Sequence, residues 1–120
     1  MRNFKSLEIW KKSHQFTLDV YKLTKDCFPK DELYGLTSQI RRSSASIPTN
    51  IAEGCGRKSN TELSRFLQIS LGSATEAEYQ LLLAKDLGYI NEELYIANEK
   101  NIQEIKKMLT GFLKNLPPDT

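Results

Sequence analysis

The chain is poor in the residues from which most active sites are built. Its 120 residues include one histidine, His14, and two cysteines, Cys27 and Cys55, which lie in different segments with no Cys or His close beside them. That argues against a disulfide framework and a zinc site, and it fits a reducing compartment. No Ser or Cys nucleophile is placed near His14 by local spacing, so a structural imidazole is the plainer reading. Cys27 falls on an apolar helical register and reads as packing, whereas Cys55 sits in a basic loop of the kind that can activate a thiol. Apolar runs of signal-peptide or membrane-spanning length are also missing, and the first ten residues already carry Arg2, Lys5 and Glu8. These absences predict a cytoplasmic protein with no membrane partner, no metal and no cofactor. Prolines occur only at Pro29, Pro48, Pro117 and Pro118. No stretch alternates apolar and polar residues for the length of a strand, and there are no repeats or low-complexity tracts.

What is present is helical periodicity. In the first segment, about Leu7 to Lys25, Ile9, Phe16, Val20, Leu23 and Cys27 recur at sums of three and four, and Phe28-Pro29 ends it. A second helix is expected from Asp31 and Glu32, with Leu33, Leu36, Ile40, Ile47 and Ile51 on one face and Pro48 bending it without ending it. The third opens with Ser59-Asn60-Thr61-Glu62, the pattern of a reciprocal capping box. Its buried register is Leu63, Leu67, Ser70, Ala74, Ala77, Leu81 and Ala84, with Gly88 as the stop. The fourth starts at Asn91 and buries Leu94, Ile102, Ile105, Leu109, Phe112 and Leu116. Three short connections leave no room for crossovers. The expected fold is therefore all-α, an antiparallel up-down-up-down four-helix bundle forming a single domain over residues 1–120, a size that buries roughly two-thirds of the unfolded surface.

Three constellations could carry chemistry. The loop Gly54-Cys55-Gly56-Arg57-Lys58-Ser59 is glycine-rich and precedes a helix, but its spacing is wrong for a phosphate-binding loop and a helix, not a strand, comes before it. On helix two, Gln39, Arg42, Ser46, Asn50 and Glu53 follow at steps of three and four and share one face beside the apolar stripe. Such groups suit a helix seam or subunit interface, with Glu76 and Gln80 of helix three as expected partners for Arg42 and Asn50. Ligand binding, or paired-carboxylate chemistry by Glu53 and Glu76, are the alternatives to a network that sets packing register. Positive charge collects at Arg41, Arg57, Lys58 and Arg65, with Lys11 and Lys12 on helix one. Arg41 is expected to face solvent and Arg42 the seam, about 100° apart. Residues 1–60 hold eleven Lys/Arg against six Asp/Glu, and residues 61–120 six against nine. That asymmetry can make a basic face for an acidic partner or pair one half of the chain with the other.

The segments Leu7-Glu8-Ile9-Trp10, Gln39-Ile40-Arg41-Arg42, Ser46-Ile47-Pro48-Thr49-Asn50-Ile51-Ala52-Glu53-Gly54, Leu71-Gly72-Ser73-Ala74 and Leu87-Gly88-Tyr89-Ile90 resemble the bacterial four-helix-bundle proteins encoded in 23S ribosomal RNA intervening sequences. The match spans nearly the whole chain. It departs at Cys55, where the family more often has an aromatic residue, and at Ser43-Ser44, which replaces a more alanine-rich stretch. The resemblance implies a ring-shaped homopentamer and no enzymatic reaction. It also implies kinship with the accessory variability proteins of diversity-generating retroelements, which work beside a reverse transcriptase and bind nucleic acid through basic surfaces. The expectation is a non-enzymatic homo-oligomer that binds RNA or DNA through a basic face. The alternative is a protein-interaction scaffold.

Overall fold

The periodicity is realised as four α-helices in a computed structural model describing residues 2–119: α1 (Glu8–Cys27), α2 (Leu36–Cys55), α3 (Asn60–Asp86) and α4 (Glu92–Asn115). Local chemistry sets several of the ends. Ser59 Oγ accepts from the Glu62 N–H at 3.1 Å, Asn91 Oδ1 accepts from the Leu94 N–H at 2.8 Å, and Gly88 takes a φ of 80° beyond α3. That left-handed conformation carries no Cβ clash for glycine. The return half of the expected Ser59–Glu62 box is absent from the hydrogen bonds among the described residues. Asp119, arriving after α4, serves this helix end as well: its carboxylate accepts from the Asn60 N–H at 2.8 Å, the Thr61 N–H at 3.0 Å and the Thr61 hydroxyl at 2.6 Å. A carboxylate here satisfies donors that have no partner within the helix, and it lies at the positive end of the helix dipole.

The start of α2 corrects the sequence expectation. Asp31 and Glu32 do not open the helix; Lys30–Glu32 form a separate 3₁₀ turn behind Pro29, and α2 begins at Leu36. Glu32 acts from outside instead. Its carboxylate accepts from the Leu36 N–H at 3.0 Å and from the Tyr89 hydroxyl at 2.6 Å, two bonds that hold its carboxyl below the usual range. Gly35 makes room for this arrangement, since a Cβ there would stand 2.5 Å from Glu32 Oε1. Leu33, expected on the buried face, lies in the intervening turn and is 48% exposed.

Pro48 sits inside α2, as its surviving register predicts. Lacking an N–H, it leaves the Ser44 carbonyl without its helical donor. Thr17 of α1 meets the deficit: its Oγ1 lies 2.9 Å from Ser44 O and 3.0 Å from Ser13 O, and its one proton serves the two acceptors.

Each helix packs on its neighbours in sequence, and α4 closes back on α1, which is the up-down-up-down bundle. Phe16, Val20, Ile40, Ile47, Ile51, Leu67, Leu81, Ile102, Ile105 and Leu109 are fully enclosed. Each aliphatic side chain of this size removed from water contributes about 1.5–3 kcal/mol. The whole expected register of α3 is buried, while Cys27, Leu94, Phe112 and Leu116 pack on the core only partly. The molecule is elongated, 51 × 24 × 20 Å, so its two ends are far apart. No helix among the described residues is long and apolar enough to cross a membrane.

Candidate nucleic-acid interface

Antiparallel packing gathers the start of α1, the end of α2, the start of α3 and the end of α4 at one end of the bundle. When each helix is cut at its midpoint, the half holding this end comprises residues 2–17, 46–73 and 104–119. It carries ten Lys/Arg and five Asp/Glu, against seven and ten in the other half. The charge imbalance along the sequence thus becomes an imbalance along the molecular axis, with one basic end.

Phe66 organises that end. The Arg57 guanidinium lies 4.8 Å and that of Arg65 5.3 Å from the centroid of its ring. Arg57 also meets Glu53 one turn back, at 3.3 Å. Lys58 is exposed and forms no ion pair among the described residues. Arg2, which sequence reasoning did not single out, joins them: its N–H donates to Cys55 O at 3.0 Å and its guanidinium covers Phe112. Arg2, Arg57 and Lys58 line a recess of about 260 Å³ with Ser59 and Asn60. Cys55 is buried beneath it, and desolvation pushes its thiol above the ordinary value despite the nearby Arg2 charge, so it is no activated nucleophile.

The other expected members lie far from this cluster or are already engaged. Arg41 is 14 residues before the end of α2 at Cys55, about 21 Å along the helix from the loop that carries Arg57. It is half-buried, not solvent-facing: Nε donates to Thr24 Oγ1 at 2.8 Å and the guanidinium stacks over Tyr21 at 4.8 Å. Arg42 is the exposed one, because the same 100° step that turns Arg41 toward α1 turns Arg42 away. Lys11 pairs with Glu8 at 3.3 Å, and Lys12 is held across the α1–α4 seam by Glu104 at 2.6 Å.

The polar stripe is only partly a network. Ser46 and Ser73 hydroxyls meet at 2.8 Å, and Asn50 Nδ2 donates back to Ser46 O and Oγ at 2.8 and 2.9 Å. Gln39, Arg42, Glu53 and Glu76 are exposed. The expected Arg42 and Asn50 bonds to Glu76 and Gln80 are not made; Gln80 Oε1 accepts from the buried Ser43 hydroxyl at 2.6 Å, and its amide reaches Glu76 at 3.4 Å. Since Ser46 and Ser73 mark a common level, Glu53 and Glu76 stand about 15 Å apart along the bundle, too far for paired-carboxylate chemistry. Among the described residues no group of three His, Cys, Asp or Glu could hold a metal ion.

Comparison with known proteins places this geometry. No curated protein matches the chain. A crystal structure of a protein of unknown function from the S23 ribosomal protein family of Bacteroides thetaiotaomicron VPI-5482 matches with a TM-score of 0.80 and 30% identity, covering 89% of this chain and 99% of that one. The family model described as 23S rRNA-intervening sequence protein matches residues 5–111. Neither description carries an enzymatic activity. With that match over most of its length, the chain belongs to the 23S rRNA-intervening sequence protein family.

Proposed function

We propose that this protein is a non-enzymatic, cytoplasmic homo-oligomer that binds RNA or DNA through its basic end. The reading rests on the Arg57–Phe66–Arg65 stack with unpaired Lys58 beside it. The Arg65 guanidinium, lying on an aromatic face with no ion pair among the described residues, keeps its N–H edge free for phosphate oxygens, whereas Arg57 shares its edge with Glu53. Phosphate binding needs clustered Arg and Lys but no special motif. One chain neutralises a handful of phosphates, which gives weak binding at physiological salt. A closed ring, a pentamer as the resemblance implies, multiplies that number on one strand through effective concentration. An RNA- or DNA-processing enzyme such as a reverse transcriptase is the protein partner this role would serve.

The test is binding of structured RNA and duplex DNA measured across a salt series. Log affinity is expected to fall linearly with log salt and to show little sequence preference. Changing Arg57 and Lys58 together to Glu should weaken binding and flatten the slope by roughly one for each phosphate no longer neutralised, with the helical fold retained. Absence of binding at low salt, or binding that survives the charge reversal, would overturn the reading. It would favour a protein-docking scaffold, for which the exposed Ile69 and Tyr79 of α3 are the supporting observation.

A further inference from the structure

Beside the basic end, α1 and α2 flank a shallow, open groove of about 620 Å³ that none of the described residues fills. One wall is aromatic. Trp10 and His14, one turn apart on α1, stack with centroids 4.9 Å apart and planes 8° from parallel, and Phe4 meets Trp10 edge-on at 5.0 Å. The facing surface on α2 is built from small or flat residues, Ala45, Pro48, Thr49 and Ala52. His14 is exposed and Trp10 half-buried. At the basic end the groove reaches Glu53, whose carboxylate is already engaged by Arg57. Lys5 lies 5.9 Å above the Phe4 ring and forms no ion pair among the described residues, while the nearby Glu8 is matched by Lys11.

We infer that this groove takes unpaired nucleotides, with a base stacked on the Trp10–His14 platform and the adjoining phosphates met by Lys5 and Arg57. The inference rests on the nucleic-acid reading above and narrows it to single strands and loops. A largely apolar open groove bordered by stacked aromatic rings suits a base and repels a phosphodiester. In a duplex the faces of the bases are covered by their neighbours, so only an unstacked base can present one. Stacking on an aromatic side chain is indifferent to base identity, because every base has a π face. The positive end supplies charge complementarity for the backbone that must run alongside.

Trp10 is the only tryptophan in the chain, so its emission reports on the groove directly. The full chain would be titrated at low salt with an oligothymidylate strand and with a blunt duplex of equal length. The strand is expected to quench Trp10 and to bind about tenfold tighter or more than the duplex, which leaves the emission unchanged. His14→Ala, an exposed position that keeps the reporter, should weaken strand binding by about fivefold or more and leave duplex binding unaffected. Equal binding of both ligands with unmoved emission would overturn the inference and leave the basic-end reading standing. Binding of neither would remove both. Emission that shifts with protein concentration alone, and no longer responds to the strand, would assign the groove to a second copy of the chain and also overturn it.

Discussion

Thr17 illustrates how one residue decides whether another is tolerated. A threonine on a helix face bordering an apolar stripe is unremarkable in the sequence, and Pro48 in the middle of α2 looks like a defect. Together they are a repair, since the hydroxyl of one stands 2.9 Å from the carbonyl that the other leaves without a donor. Thr17→Val should therefore cost about 1–3 kcal/mol, the range for a buried acceptor left unsatisfied. In a Pro48→Ala background, where residue 48 regains an N–H for Ser44 O, the same change should cost less. Urea melts of the four proteins in the cycle measure the coupling. A cost equal in both backgrounds would remove the account.

At the scale of elements, α3 shows what local sequence controls and what it does not. Its buried register was legible because Leu63, Leu67, Ser70, Ala74, Ala77, Leu81 and Ala84 need only the helical period to fall on one face. Its first turn was only half legible: Ser59 lies in the local window, whereas Asp119 is 58 residues away from Thr61 in the chain. The Thr61 hydroxyl, then the Thr61 and Asn60 N–H groups, hold the Asp119 carboxyl below its ordinary value. A carboxyl lowered in the folded state stabilises the fold above its unfolded value of 3.8, and that stabilisation is lost as pH falls through the depressed value. Asp119→Ala should accordingly lower the melting temperature at neutral pH. In acid well below 3.8 its melting temperature should converge on that of the unsubstituted protein. A gap between the two proteins that persists undiminished into acid would show that the carboxylate charge is not what matters. The misplaced start of α2 has a similar origin: acids near a helix start stabilise it from inside the first turn or from before it, and only the bond with Tyr89 distinguishes the two for Glu32.

The whole molecule carries a cost within α3 that bears on assembly. Gly72 lies near the centre of α3, exposed, and a Cβ there would meet nothing within 4 Å. A mid-helix glycine is about 1 kcal/mol worse than alanine, and no neighbour among the described residues requires it. Ile69, about one turn before it, and Tyr79, about two turns after it, are exposed. Close approach of a second copy would account for all three. Light scattering during size exclusion should then give a multiple of the 13.8 kDa chain mass, five-fold for the proposed pentamer. Gly72→Leu should reduce that mass without unfolding the helix, because the position is exposed and a Cβ there meets no described atom within 4 Å. A protein that elutes as a monomer at micromolar concentration would eliminate the ring, and with it the multiplication of phosphate binding on which the proposed affinity depends.

Periodicity, caps and proline positions were enough to determine the four helices, their order and, apart from the start of α2 and Leu33, their buried faces, because each depends on residues within a turn or two of one another. The resemblance carried by Ser46 to Gly54 and its flanking segments pointed to the family for the same reason: it is a property of contiguous residues. The contents of the candidate interface depended on tertiary structure. Arg41 looked like a partner of Arg57 by charge and is separated from the loop that carries it by about 21 Å of helix. Phe66 of α3 and Phe112 of α4 came to the same end as Arg2, Phe4 and Trp10 of the N-terminal stretch through antiparallel packing. A helical period says which face a side chain is on. Only the packing of one helix against the next says what that face meets, and so whether a charge is paired, stacked or left free for a partner.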